Sequence, residues 1–448
     1  MTVAATAPRR RSEQAGPSPG LQRLLGLGFG LAVIVGSTIG IGILRTPGLV
    51  AGQLGAPSTI LLVWLAGGLY TLIGAVCFTE LGTMMPAAGG YYVYARRAFG
   101  DTVGFAVGWT DWLTYTAVLG YISIGLGEFA AVLVPGLAPL VTPIGVAALA
   151  GFVALQWTGV RVSGRFQEVA TAIKFAAFLA LVLGCLASAG STAQPAAPAL
   201  TPTFAALIIA LQSVVIAFGG WQSALYFTEE DRDPRRNLPR AMIGGVAAVI
   251  AVYLLVNVAL LAVLPVSDLA RSTLPAADAA QIVLGGRGRQ FITILSIVSL
   301  APLINAILMI GTRILYAMAR DGMLPGRAAT VNAGGTPTVA TLVTTAVATG
   351  LIATGTFQRL VAVASFFLAV NYFICCVALI VLRRREPGAL RPFRAWGYPW
   401  SAGLVAVGAG IFVAGTLMAD TPNAMLALVL MMVGLGGRMA AGQVRSRR

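Results

Sequence analysis

The stretch "IVGSTIGIGIL", residues 34–44, lies in the middle of the first long apolar segment of the chain. Gly36, Gly40 and Gly42 fall there together with Ser37 and Thr38. These residue types hold a helix poorly, so a segment that ought to be one continuous helix has its weak point at its centre. The surroundings are those of a membrane. Of 448 residues, 58% are hydrophobic and 10% charged, and mean hydropathy is +0.86, against about 25% charged residues in a soluble domain. Nearly charge-free runs of about 18 residues or more recur, each long enough to cross roughly 30 Å of hydrocarbon as a helix. The fold class expected is an all-α polytopic membrane protein.

Twelve spans are expected, at 24–50, 58–84, 100–134, 140–157, 166–189, 203–228, 239–264, 291–320, 337–354, 360–382, 400–418 and 422–439. With this count, 24 arginines fall in the N-terminal tail and every second loop after it, and 5 on the opposite side. The positive-inside rule then places both termini in the cytoplasm of a cell whose inner (plasma) membrane holds the protein. The net charge of +15 is thereby explained as a topology signal. It forms no single basic patch, so a nucleic-acid partner is not expected. Residues 1–20, with Arg9, Arg10 and Arg11 and no apolar core, read as a cytoplasmic tail and not a signal peptide. No histidine is present, and Cys77, Cys185, Cys375 and Cys376 all fall inside spans without ligand spacing. No metal, cofactor or enzymatic chemistry is expected.

The sixth span carries a matching interruption, "IAFGGWQSALYF" at 216–227, with Gly219 and Gly220 at its middle. Two interrupted spans five apart point to two halves of opposite orientation, and paired Gly-broken segments are the best sequence pointer to a transporter binding site. Unwound backbone at mid-depth is costly unless it lines a polar cavity. A half-helix starting after the first break offers free N–H groups and a positive dipole end to a carboxylate, while free carbonyls at the sixth-span break suit an ammonium. The two poles together fit an α-amino acid. The plain alternative is that glycine here serves close helix packing.

Four stretches, "IVGSTIGIGIL", "CFTELGTMMPAAGGYYVYARRAFG", "FGGWQSALYFTEEDRDPRRNLPRAM" and "RILYAMARDGMLP", resemble the amino acid–polyamine–organocation transporter superfamily, nearest to its L-type amino acid transporter branch and bacterial relatives. The resemblance covers about residues 26–399. It implies a five-plus-five inverted-repeat core with discontinuous first and sixth helices (repeats at 21–190 and 203–382), two additional helices at 399–440, a short tail at 441–448, and alternating access without sodium. Carried over by position, the carboxylate site falls on the backbone of Gly40, Ile41 and Gly42, and the ammonium site on the carbonyls of Thr38, Ile216 and Gly219. Phe218, Trp221 and Gln222 would line or gate the pocket. Relatives often have Ser where Ile41 stands, an aromatic residue where Ile216 stands, and Asn where Gln222 stands.

Other polar residues stand inside the membrane, where they are functional by default. Asp111 in the third span is expected to be a structural ion pair or a proton site; Glu80 is expected to face water or pair with Arg96 or Arg97, and Glu128 to be solvated. Asn305 should bond across helices, and the loop "EEDRDPRRNLPR" should close one side by ion pairing. Lys174 is the sole lysine among 30 basic residues and lies well inside the fifth span. The fold that the resemblance implies brings the fifth span to the first break, and sodium-independent members often carry a Lys in this span where sodium-coupled relatives place a cation. The Lys174 ammonium is therefore expected to meet carbonyls freed around Gly36 and Ser37, as a fixed charge in place of sodium. The function expected is a permease of neutral α-amino acids, working as an exchanger or a proton-coupled uniporter. A polyamine or cationic amino acid carrier and a transporter-like nutrient sensor are the rivals; short tails speak against the sensor. No Cys stands between the third and fourth spans (134–140), so no covalent single-span partner is expected. The expected partners are the amino acid substrate and membrane lipid, with the protein a monomer or weak oligomer.

Overall fold

The computed structural model describes residues 20–188, 202–354, 357–419 and 421–446, and no β-strand occurs among them. Residues 1–19 of the expected N-terminal tail, residues 189–190 at the end of the first repeat, the last two residues and the Ile41 side chain lie outside the described residues. The first span consists of α1 (Leu27–Thr38) and α2 (Ile41–Leu54). Then follow α3 (Pro57–Met84), the short α4 (Tyr91–Phe99), α5 (Asp101–Leu133), α6 (Val141–Trp157) and α7 (Val160–Ser188). The sixth span is α8 (Phe204–Ala217) continued, past a break, by a 3₁₀ segment at Trp221–Phe227. After α9 (Pro234–Val263) come the short α10 (Val266–Arg271) and α11 (Pro275–Leu284), then α12 (Gly288–Arg320), α13 (Thr338–Thr354), α14 (Phe357–Arg385), α15 (Trp400–Ala419) and α16 (Thr421–Ser446).

Eight of these segments are long and apolar enough to cross a membrane, nine if the α1–α2 pair counts as one bent span. The shorter apolar α13 and α15, and α16 with 26 residues, stand where the ninth, eleventh and twelfth spans are expected. The short α4, α10 and α11 were not expected. They are too short to span and α4 ends in Arg96 and Arg97, so hydropathy alone does not register them.

Corresponding spans of the two halves pack on each other. The first meets the sixth (α1 on the 3₁₀ segment, α2 on α8), the second meets the seventh (α3 on α9), and the third meets the eighth (α5 on α12). α7 lies against α1, α9 and α12. The first-span break is therefore enclosed by its counterpart, by α9 and by α7 at once. Among the described residues Asn305 of α12 is wholly buried and donates to Ser163 O (3.2 Å) and Gln167 Oε1 (3.0 Å) of α7. This is the cross-helix bonding expected of it.

Acidic and basic residues gather on the side that carries most of the arginines. Glu229 and Glu230 follow the sixth span and reach α12: Arg320 Nη1 donates to Glu229 Oε1 (2.6 Å), and Arg313 donates to both Glu230 oxygens (2.9 and 3.1 Å). The second pair is fully buried, with side chains 1% and 0% exposed. Arg96 donates to Asp321 (2.6 Å), which also accepts from Tyr92 (3.0 Å). Arg97 forks onto Glu386 and, by its hydrogen bonds, holds that carboxyl below the usual carboxylate range.

Glu80 corrects an expectation. It faces neither water nor Arg96 or Arg97. It is wholly buried, accepts from Arg383 and from the Ala395 N–H (2.7 Å), and pairs with Arg391. The cause is the packing of α3 and α15 on the end of α14, which brings residues remote in sequence closer than the two neighbouring arginines. Breaking one partner of a buried pair leaves the other charge uncompensated. Glu230→Gln is therefore expected to destabilise the purified protein by about 3–5 kcal/mol, read as a large drop in thermal midpoint in detergent. Glu386→Gln, at a surface pair, should shift it little.

Candidate substrate site

Helix α1 ends because its last turn is poorly built for helix. Thr38 turns its hydroxyl back onto Ile34 O (2.8 Å), which competes with the main-chain ladder, and Ile39 is already extended (ψ 102°). Gly40 is extended too, and α2 restarts at Ile41 with no side-chain cap. The two halves are bent by 46°. The first N–H groups of α2 thus have no intrahelical partner. In the sixth span α8 ends at Ala217, the Gly219 N–H bonds back to Ile216 O (2.9 Å), and Gly220 takes φ +115°.

The two breaks touch. A Cβ on Gly220 would stand 2.5 Å from Ser37 O and 2.9 Å from Thr38 N, closer than any side chain tolerates, and its φ also requires glycine. A Cβ on Gly42 would stand 3.4 Å from Ala217 Cα. Tyr253 of α9, fully buried, places its hydroxyl 2.7 Å from Thr38 O and 2.9 Å from Ala217 O. One O–H therefore lies between the last carbonyls of both first halves.

Lys174, fully buried, donates from Nζ to Gly36 O (2.9 Å) and to Ser299 O of α12 (3.0 Å). The Gly36 contact is the expected one. The second carbonyl belongs to Ser299 and not to Ser37, whose hydroxyl is buried with no partner among the described residues. One turn back, Thr171 Oγ1 donates to Ala32 O (3.1 Å). A Cβ on Gly36 would come 2.5 Å from both Gln167 Nε2 and Thr171 Oγ1, so glycine at that position lets α7 reach the α1 carbonyls.

A cavity of about 430 Å³ reaches Gly219 and Trp221 from between α3, α8, α14 and α15, lined largely by apolar side chains with Tyr70, Gln212 and Tyr372 among them. Ile216, 52% exposed, lines it. Phe218 does not. Its backbone keeps helical angles, which turns the ring into the packing between Trp64 of α3 and Tyr253 of α9, with centroids at 6.1 and 4.8 Å. Gln222 is buried as well. Its Oε1 accepts from the Gly220 N–H (3.2 Å) and the Tyr372 hydroxyl (2.9 Å), and its Nε2 donates to the Tyr115 hydroxyl (3.3 Å). Gly40 has Leu303 of α12 as its neighbour, at 3.6 Å from a would-be Cβ. Among the described residues Asp111 makes no ion pair. Its carboxylate accepts from the Tyr226 hydroxyl (2.8 Å) and its other oxygen is buried without a partner.

Tyr253, Ser299 and Gly220's steric role were not singled out from sequence. A backbone carbonyl such as Ser299 O has no signature in any sequence. Tyr253 had one, as the sole hydroxyl in the apolar run "VAAVIAVYLLVNVALLAV".

Two interrupted apolar spans whose breaks abut, in an all-helical chain of many apolar spans, are the pattern of a membrane transporter with discontinuous helices. Residues 30–435 match the model of the amino acid permease family, and the chain belongs to that family. It is 28% identical to the serine/threonine exchanger SteT of Bacillus subtilis over 93% of this chain and 96% of that protein. It is 30% identical to the human Asc-type amino acid transporter 1, over 84% and 74%, and 28% identical to the mouse large neutral amino acids transporter small subunit 2, over 87% and 76%. These relatives are transporters and not enzymes.

Loss of the Tyr253 hydroxyl strips a donor from two buried carbonyls, and each buried group left unsatisfied costs about 1–3 kcal/mol. Tyr253→Phe is expected to lower the thermal midpoint measurably and to slow transport. Gly220→Ala should be more damaging, because main chain cannot give way as a side-chain tip can. A Gly220→Ala protein with wild-type stability and transport would show that the breaks do not need to touch.

Proposed function

We propose that this permease exchanges small and medium neutral L-α-amino acids by alternating access, without sodium, and that the substrate sits where the two breaks abut. The observation that carries this reading is the juxtaposition itself: the uncapped start of α2 beside the carbonyls that end α1 and α8. The carboxylate takes the backbone N–H groups of Gly40, Ile41 and Gly42. The ammonium takes the carbonyls of Thr38, Ile216 and Gly219. Thr38 O already accepts from Tyr253, and a carbonyl has a second lone pair to offer. Ile216 O accepts from the Gly219 and Phe218 N–H groups, which it would share with the ammonium. The apolar cavity at Gly219 and Trp221 favours an uncharged side chain, and the exchange named for SteT and the amino acids named for its relatives support the same substrate class.

Lys174 stands as the fixed cation of the site, bracing the end of α1 through Gly36 and replacing a coupling ion. The arginine-rich face is the cytoplasmic one, with both termini there, and the protein sits in the plasma membrane. The ion pairs from Glu229 and Glu230 to α12 form the inner gate. The repeats run 21–190 and 203–382, with 399–440 outside them, and the chain works without a covalent partner.

Exchange in proteoliposomes tests the reading. Wild-type protein should exchange neutral amino acids equally in choline and sodium buffers, and their methyl esters or N-acetyl derivatives should fail to compete. Undiminished competition by the esters would refute the two-pole site. Lys174→Ala should lose most exchange in either buffer, since buried carbonyls lose their donor. Wild-type rates for this variant would remove Lys174 from the mechanism.

A further inference from the structure

Asp111 is a second buried ionisable group close to the break, and nothing in the two-pole site uses it. It lies ten residues into α5, about 15 Å along the helix from Asp101, and is 0% exposed. One oxygen accepts from the Tyr226 hydroxyl at 2.8 Å; the other has no partner among the described residues. The titratable groups that face it are Tyr115 on its own helix, Tyr226 on the 3₁₀ segment, Tyr91 on α4, and Tyr372 and Cys375 on α14. None of these is a cation. From α12, Arg313 is committed to Glu230. From α4, Arg96 is committed to Asp101 and Asp321 and Arg97 to Glu386. From α16, Arg438 donates to Asp101 O. The sequences of α6 and α13 contain no charged residue.

This carboxyl is tied to the sixth-span break by a run of side chains. Tyr226, which donates to it, meets the Tyr115 ring edge-on at 5.2 Å. Tyr115 accepts from Gln222, and Gln222 accepts the N–H of Gly220, which rests on the first break.

We propose that Asp111 takes up and releases one proton in each transport cycle, so that net uptake of amino acid is proton-coupled. A bare carboxylate without counter-ion at this depth is costly, whereas an acid with one hydroxyl partner is not. In the step, a proton from water admitted on the side away from the arginine-rich face forms an O–H bond on the unpartnered oxygen. When the arginine-rich face opens, that bond breaks, the electron pair stays on oxygen and the proton passes to water there. No other reactant is needed. The charged form also grips Tyr226 harder than the acid does, since a charge-assisted hydrogen bond is roughly twice as strong as a neutral one. Protonation thus loosens the segment that carries Trp221 and Gln222, which couples the proton to the gate.

The inference rests on amino acid transport as proposed above, and one preparation separates the two. Proteoliposomes in sodium-free buffer, with a trapped pH dye and the voltage clamped by potassium and valinomycin, are given serine or alanine. Counterflow at equal pH reads transport; lumen acidification on adding substrate to amino-acid-free vesicles reads proton entry. Wild type should show both, with about one proton entering per amino acid. Asp111→Asn should keep counterflow within a few-fold while acidification falls to the protein-free background. Counterflow without acidification in wild type overturns the proton coupling and leaves the exchange reading standing. Acidification by Asp111→Asn at the wild-type rate, or its loss of counterflow while monodisperse, overturns the role of Asp111. If that variant is not monodisperse, Asp111→Glu takes its place, and counterflow with proton entry abolished then counts against the site, because the proton-binding group is retained. Absence of both signals in wild type overturns both readings.

Discussion

The contact of Gly220 with the main chain at Ser37 and Thr38 is the constraint around which the rest of the molecule is arranged. Two helices interrupted at mid-membrane expose N–H and C=O groups that lipid cannot satisfy. Setting the interruptions against each other removes that exposure in one place and concentrates the polar backbone there. The arrangement works only if no Cβ stands between them, and that is why a positive-φ glycine occupies the point of closest approach. Once the breaks abut, the neighbouring helices must supply donors to whichever carbonyls remain. Tyr253 of α9 serves the two chain ends nearest the contact, and Lys174 of α7 serves Gly36, two residues before Thr38.

Lys174 shows how magnitudes select the partner. A lone ammonium at this depth costs several kcal/mol, and no carboxylate pairs with it among the described residues. Its compensation comes from two carbonyls at about 3 Å, one on α1 and one on α12. Carbonyl dipoles stabilise a cation less than a carboxylate would. The two acceptors lie on different helices, so the side chain ties the end of α1 to α12.

What could be read in advance follows from which interactions leave a mark in sequence. Broken spans do, because Gly, Ser and Thr in an apolar run cost helix stability; hence both interruptions were legible. The Lys174–Gly36 contact could be foreseen because a single lysine in a span must find acceptors, and a break is where carbonyls are free. Its second acceptor could not, since every residue has a carbonyl. Glu80 was matched to the nearest arginines along the chain, whereas helix packing delivered Arg383 and Arg391 from some three hundred residues away. The resemblance puts Phe218 at the pocket with Trp221, but Phe218 still belongs to the helical end of α8 while Trp221 follows the positive-φ turn at Gly220. Its ring therefore goes into the packing of α3 and α9.

Charged and apolar contacts around the break respond differently to water. On the arginine-rich side Arg313 and Arg320 on α12 clasp the two glutamates that follow the sixth span. Between α3, α8, α14 and α15 an apolar cavity runs in to Gly219 and Trp221. Ion pairs are strong when dry and weak when wet, whereas apolar contact is lost in proportion to the area exposed. Water entering between α12 and the 3₁₀ segment would therefore weaken each pair it reaches, including the buried one, while wetting of the cavity wall costs only the area it uncovers.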